Sequence, residues 1–245
     1  MSAALETVRA DGVALLDIGV GLTEQQWQAP SGCEGWRVQD VVTHMANLFW
    51  VVVDPARLPA SEGVPTEQAQ EAAVQARRGM SGAEALADYK EAAGPALEQL
   101  AQIETLDMEL PLGDLGTYQA ALLPLAYSFD HYTHIRADLF GPRGPLGGSP
   151  PPSDADRLAP VLDWIEAALP QQNQAAAQTC SLQLEVTGAG ARSISFGSGQ
   201  PTATIRSDAL SFVRWVTQRG SWAELGVHAT GDAATLATAR ALKVF

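Results

Sequence analysis

The spacing of apolar residues changes once along this chain, and that change limits the fold more than any other feature. In the long stretches between breakers over residues 1–169, apolar side chains recur every three or four positions, as on an amphipathic helix. Beyond residue 179 they alternate, as on a half-buried strand. The spacing therefore predicts a helical unit over 1–169 and a small α+β unit over 170–245. A chain of 245 residues is long enough to give each unit a core.

The first helix is expected over residues 3–20, with Leu5, Val8, Leu16 and Val20 on one stripe and Gly21 as its stop. Residues 23–37 read as a loop punctuated by Pro30, Gly32 and Gly35. The clearest helix covers 38–53, where Val38, Val41, Val42, Met45, Leu48, Phe49 and Val52 share a face. Pro55 ends it by disfavouring helix at Asp54. Two Ala- and Glu-rich helices follow over 66–79 and 82–103, with a kink expected at Gly94-Pro95. Residues 107–116 read as irregular. A long helix over 117–139 runs to Phe140-Gly141-Pro142, and a further one covers 154–169. The first unit is thus mainly α, a four-helix-type bundle with an extra helix. The Gln- and Ala-rich segment 171–179 reads as the linker. Leu182, Leu184 and Val186 mark a strand, Ile194 and Phe196 its hairpin partner, and 202–205 a third strand. Asp208 caps a helix, 226–230 forms a last strand, and Asp232 caps a final helix through Lys243.

Charge excludes some function classes. The 28 acidic residues against 15 basic ones give a formal charge of -13, opposite to a nucleic-acid footprint and unfavourable on an anionic membrane surface. The apolar run 41–53 is interrupted by Thr43, His44 and Asn47 and is too short to span a bilayer. Residues 1–12 have neither a basic nor an apolar signal region. Cys33 and Cys180 lie far apart, without the spacing of a disulfide framework or thiolate zinc site. A cytoplasmic protein with two free thiols is expected.

Three of the four histidines lie on the two best helices. His44 sits at the margin of the 38–53 apolar stripe, so its ring can enter a groove between helices. Asp130 and His134 are four apart and stack on one face of the 117–139 helix, beside Leu123, Ala126, Tyr127 and Ala137. A carboxylate among apolar and small residues needs a compensating cation. Two imidazoles and a carboxylate form a donor set that suits Zn²⁺ with a position left open, and also Fe²⁺, Ni²⁺ or Mn²⁺. The plainer alternative is an ordinary helix-face pair, with His44 hydrogen-bonded in a groove. His131 is read as facing solvent or an interface, and His228 as structural.

The run Trp27-Gln28-Ala29-Pro30-Ser31-Gly32-Cys33-Glu34-Gly35-Trp36-Arg37-Val38-Gln39-Asp40-Val41-Val42-Thr43-His44 resembles the N-terminal signature of the mycothiol-dependent maleylpyruvate isomerase family, one of the DinB-like metal-binding bundles. Asp130-His131-Tyr132-Thr133-His134, followed by Leu139-Phe140-Gly141-Pro142-Arg143, resembles that family's second element. The resemblance implies that His44, Asp130 and His134 are the metal ligands, with Asp standing where the family often has Glu. The family tends to place an acidic residue three after the second His; here Ala137 holds that place and Asp138 follows. The 170–245 unit looks like the sterol-carrier-like domain appended to these bundles.

What the resemblance implies is an isomerase or S-transferase that depends on a divalent metal, Zn²⁺ first among the candidates, and on mycothiol or another low-molecular-weight thiol. Its partners would be that thiol and a small electrophilic substrate. Arg78 and Arg143 are the candidate contacts to the thiol cofactor or a carboxylate, with Arg77 a neighbouring one. Their plainer reading is a cation at a helix end or in a loop. Trp36 is expected to pack between helices and Cys33 to be structural. The competing hypothesis is a non-catalytic metal-binding protein whose C-terminal unit binds an apolar ligand.

Overall fold

The structure is a computed structural model describing residues 1–245. It divides into two compact units, Met1–Pro151 and Pro152–Phe245. The fold is a mainly α four-helix bundle followed by a small α+β unit.

The bundle is made of α1 (Ala3–Val20), α3 (Val38–Val53), α5 (Gly82–Ile103) and α6 (Leu123–Thr133); the short α2 (Glu24–Trp27) and α4 (Thr66–Ala76) lie between them. Side-chain caps set several starts: Ser2 accepts from Leu5 N at 3.4 Å, and Ser81 and Glu84 form a reciprocal capping box. Helix α3 lacks a small capping residue. Its first turn is closed by Asp40, which accepts from Arg37 N at 2.9 Å. Leu5, Val8, Leu15, Val41, Met45, Phe49, Leu86 and Leu100 meet in one core. Pro95 lies inside α5, which runs unbroken through it.

Two expectations in this unit are corrected. Residues 107–116 are not wholly irregular: β1 (Glu109–Pro111) pairs antiparallel with β2 (Thr117–Gln119). Gly113 and Gly116, at φ 59° and 119°, make the reversal possible. Strands of three residues are too short to display a period. The long helix over 117–139 is instead β2, a helical turn, α6 and then a π-helical stretch, His134–Leu139. Ile135, Arg136, Ala137, Asp138 and Leu139 are all buried there, polar and apolar alike, so the burial follows no helical stripe that spacing could reveal.

The second unit begins with α7 (Ala155–Gln172), so the helix expected over 154–169 packs with the sheet. Leu158 and Leu162 back onto Gly190, and Asp163 pairs with Arg192 at 2.5 Å. The expected linker is helix α8 (Gln174–Thr179), because Ala and Gln favour helix. The strands β3 (Leu182–Thr187), β4 (Arg192–Phe196), β5 (Ala203–Asp208) and β6 (His228–Gly231) lie in the order β4-β3-β5-β6. The β3/β5 pair is parallel and the other two pairs antiparallel. Helix α9 (Ala209–Val216) buries Phe212, Val213, Trp215 and Val216, and α10 (Ala233–Arg240) ends short of Lys243. Asp208 and Asp232 cap these helices as expected, at 3.0 and 2.8 Å. No helix is long and apolar enough to cross a membrane.

Candidate metal centre

Helices α3 and α6 run side by side, tied by Tyr127 Oη donating to Leu48 O at 2.7 Å. One turn away, the same contact brings His44 from α3 against Asp130 from α6. His44 Nε2 lies 3.0 Å from Asp130 Oδ1, and His134 Nε2 lies 3.4 Å from the same oxygen. The two imidazoles meet edge to face, 4.9 Å between centroids. One donor atom from each of His44, Asp130 and His134 falls within 4.8 Å of the others. Two polar atoms here are buried without a hydrogen-bond partner, Asp130 Oδ2 and His44 Nδ1. A buried, half-satisfied carboxylate between two imidazoles matches what a cation would complete.

Without a metal the electrostatics favour an ion pair between Asp130 and His134, so a bound cation would take the place of the imidazole proton. Burial works against the Asp130 charge, but His134 and His44 outweigh it and hold the carboxyl well below its usual range. Burial likewise works against a charged His134; Asp130 foremost, with Cys33 and Asp138, overcomes this and raises it well above an ordinary imidazole. Both groups are thus biased toward charge by their neighbours.

Three further residues border this trio that spacing alone did not place there. The Trp36 ring lies 5.2 Å from His44 and 6.4 Å from His134, and its Nε1 donates to Glu71 at 2.6 Å. Cys33 Sγ lies 3.6 Å from His134 Nδ1, and Asp138 Oδ2 lies 2.8 Å from the same nitrogen. The expectation of Trp36 packing between helices and Cys33 being structural therefore needs extending: both line the imidazole pair. The quoted run ending at His44 already contained both residues, but no periodicity ties a loop to a site.

The arginine candidates hold the loop that carries these residues. Arg78 donates to Gly35 O and pairs with Asp40 at 3.3 Å. Arg143 donates to Gly32 O at 2.9 Å. Arg77 pairs with Asp88, which also accepts from Trp50 Nε1 at 3.1 Å. His131 is not at the surface: it is fully buried, bonded to Tyr127 O at 3.0 Å and Tyr89 Oη at 3.1 Å. Burial, as the leading cause, lowers its pKa. His228 is exposed at the start of β6.

Asp40 links this loop to α3. Its own burial pushes its pKa up, but hydrogen bonds from the Arg37 side chain and backbone, with the charges of Arg37 and Arg78, bring it below the ordinary value. A depressed carboxyl stabilises the fold above the unfolded pKa, and that contribution is lost as pH falls through the folded pKa. The melting-temperature gap between wild type and Asp40→Asn is therefore expected to be wide at neutral pH and to close below about pH 4. A gap of constant width across that range would show that the ion pair contributes nothing.

Residues 8–121 match the family model described as the mycothiol maleylpyruvate isomerase N-terminal domain. No curated protein matches the chain. Among solved structures, the crystal structure of the mycothiol-dependent maleylpyruvate isomerase superposes with a TM-score of 0.64 at 15% identity, covering 95% of each chain. A histidine-to-alanine mutant of that isomerase gives 0.63 at 12% identity, again covering 95% of each chain. By sequence in its first unit, and by fold over nearly its whole length, the chain resembles that family.

Proposed function

We propose that this chain is a thiol-dependent isomerase or S-transferase that acts on a small electrophilic substrate, using a divalent cation held by His44, Asp130 and His134. The observation that carries the reading is the convergence of those three donors around buried polar atoms that lack partners. The match to the mycothiol maleylpyruvate isomerase domain supports mycothiol as the thiol and an unsaturated acid such as maleylpyruvate as the model electrophile. Two imidazoles and one carboxylate suit Zn²⁺ with a position left for an exogenous ligand; Fe²⁺, Ni²⁺ and Mn²⁺ are the ions that metal analysis must separate from it. Bound together, the cation and the thiol supply a thiolate at neutral pH, competent for reversible addition to an activated double bond.

The chain's own residues have definable parts in this. Asp130 supplies the one negative charge among the three donors and faces both imidazoles. Trp36 covers the imidazole pair on one side, with Glu71 fixing the indole. Arg78 and Arg143 fix the loop through Gly35 O and Gly32 O, and they are the proposed contacts to carboxylates of thiol or substrate.

The test is a Co²⁺-substituted protein titrated with mycothiol. The expected result is a shift in the cobalt ligand-field spectrum on adding thiol, with turnover of an α,β-unsaturated dicarboxylate only when thiol is present. Cobalt retained with a spectrum indifferent to thiol would instead favour the non-catalytic metal-binding reading, with the second unit as a carrier of an apolar ligand.

A further inference from the structure

His134 is held at both ring nitrogens, and the two sides differ in kind. Its Nε2 faces Asp130 Oδ1 at 3.4 Å, within the group that includes His44. Its Nδ1 faces Asp138 Oδ2 at 2.8 Å. Asp138 is fully buried, and its position is set by the backbone. Gly32 N donates to Asp138 O at 2.8 Å, and a Cβ on Gly32 would come within 2.8 Å of Asp138 Oδ1, so the loop closes directly over this carboxylate. The π-helical stretch from His134 to Leu139 widens the turn that leads from one residue to the other.

We propose that Asp138 is a positioning residue that fixes the tautomer and ring orientation of His134. The proposal rests on the metal reading above. An ionised carboxylate only accepts, and of the two carboxylates facing the ring Asp138 is the nearer, at 2.8 Å against 3.4 Å for Asp130, so the single hydrogen of a neutral His134 sits on Nδ1 and is donated to Asp138. Nε2 is then the nitrogen whose lone pair points toward Asp130 and His44. Cys33 Sγ also approaches Nδ1, at 3.6 Å, but a thiol is a weak partner and the carboxylate contact is shorter and charge-assisted. Partners of this kind orient metal-binding histidines, and losing one weakens metal affinity by about 10- to 100-fold.

Two variants separate a positioning role from a structural one. Asp138→Ala removes the acceptor. Asp138→Asn keeps the size but offers an amide N–H that can donate to Nδ1, which favours the opposite tautomer. The measurements are Co²⁺ affinity by chelator competition, and long-range ¹H–¹⁵N NMR of the His134 ring in metal-free protein at alkaline pH. Wild type is expected to show Nδ1–H. Asp138→Asn is expected to shift toward Nε2–H and, like Asp138→Ala, to bind Co²⁺ about 10- to 100-fold more weakly. Cys33→Ala is expected to leave the tautomer unchanged. The proposal is overturned if Asp138→Asn keeps both the wild-type tautomer and the wild-type Co²⁺ affinity, or if Cys33→Ala moves the tautomer and Asp138→Asn does not. Should Asp138→Ala fail to fold, the near-isosteric Asn variant carries the test. Should the wild type hold no Co²⁺, the metal reading fails, while the tautomer comparison still decides the part played by Asp138.

Discussion

His44→Ala is expected to abolish tight cation binding and thiol-dependent turnover together. Asp130 and His134 come from one continuous segment, α6 and the π turn after it. His44 is the donor of the trio contributed from α3, so its removal opens the side of the centre facing that helix. It also takes away one of the two groups that hold the buried Asp130 carboxyl in its charged form. The loss should exceed the about 10- to 100-fold that follows from removing an outer hydrogen-bond partner. Metal content after dialysis against a chelator measures the first effect, and product formation with saturating thiol the second. His228→Ala, an exposed change on β6, serves as the control and should leave the metal content as in wild type. A His44→Ala protein that retains its cation at unchanged affinity would mean that the donor set is wrong.

The largest loss of stability is expected from breaking the ion pair between Asp11 of α1 and Arg136 of the π turn. Arg136 Nη1 and Nη2 donate to the two Asp11 oxygens at 2.7 and 2.8 Å. The side chains are 2% and 0% exposed, and the guanidinium sits 4.1 Å from the centre of the Tyr132 ring. Asp11→Ala leaves a cation without its carboxylate in a water-poor core, which costs about 3–5 kcal/mol. Replacing both partners by apolar residues of similar volume removes the stranded charge, so Asp11→Leu combined with Arg136→Met should recover most of that loss. Denaturant unfolding with an unchanged slope reads the difference directly. Single substitutions costing under about 1 kcal/mol, the range of solvated pairs, would contradict the buried description.

Helices that bury one continuous stripe are legible in a sequence of this kind. The expected helix over 38–53 coincides with α3 because seven apolar residues share its face and Pro55 bars its continuation. The stacking of Asp130 with His134 follows from the same face arithmetic, whereas the joining of His44 to them is implied by the family resemblance and not by spacing. What spacing misses depends on partners distant in sequence. His131 is polar and lies off the main stripe, which suggests the surface, yet Tyr89 on α5 supplies the hydroxyl that makes its burial tolerable. Trp36 and Cys33 sit in a loop, where no period assigns a direction. Helix α8 is missed because a Gln- and Ala-rich run resembles a linker in composition while favouring helix in propensity.

The π stretch after Thr133 has a consequence for reading related chains. A π turn amounts to a helix carrying one surplus residue, and such a surplus rotates everything downstream by about 100° relative to an uninterrupted α-helix. Directly after the π stretch, Phe140 bridges Leu146 and Gly144 N donates to Phe140 O at 2.9 Å. Two chains that differ by a single insertion here would present differently numbered side chains to the same point in space. Across this segment, correspondence is a matter of angle before it is a matter of count.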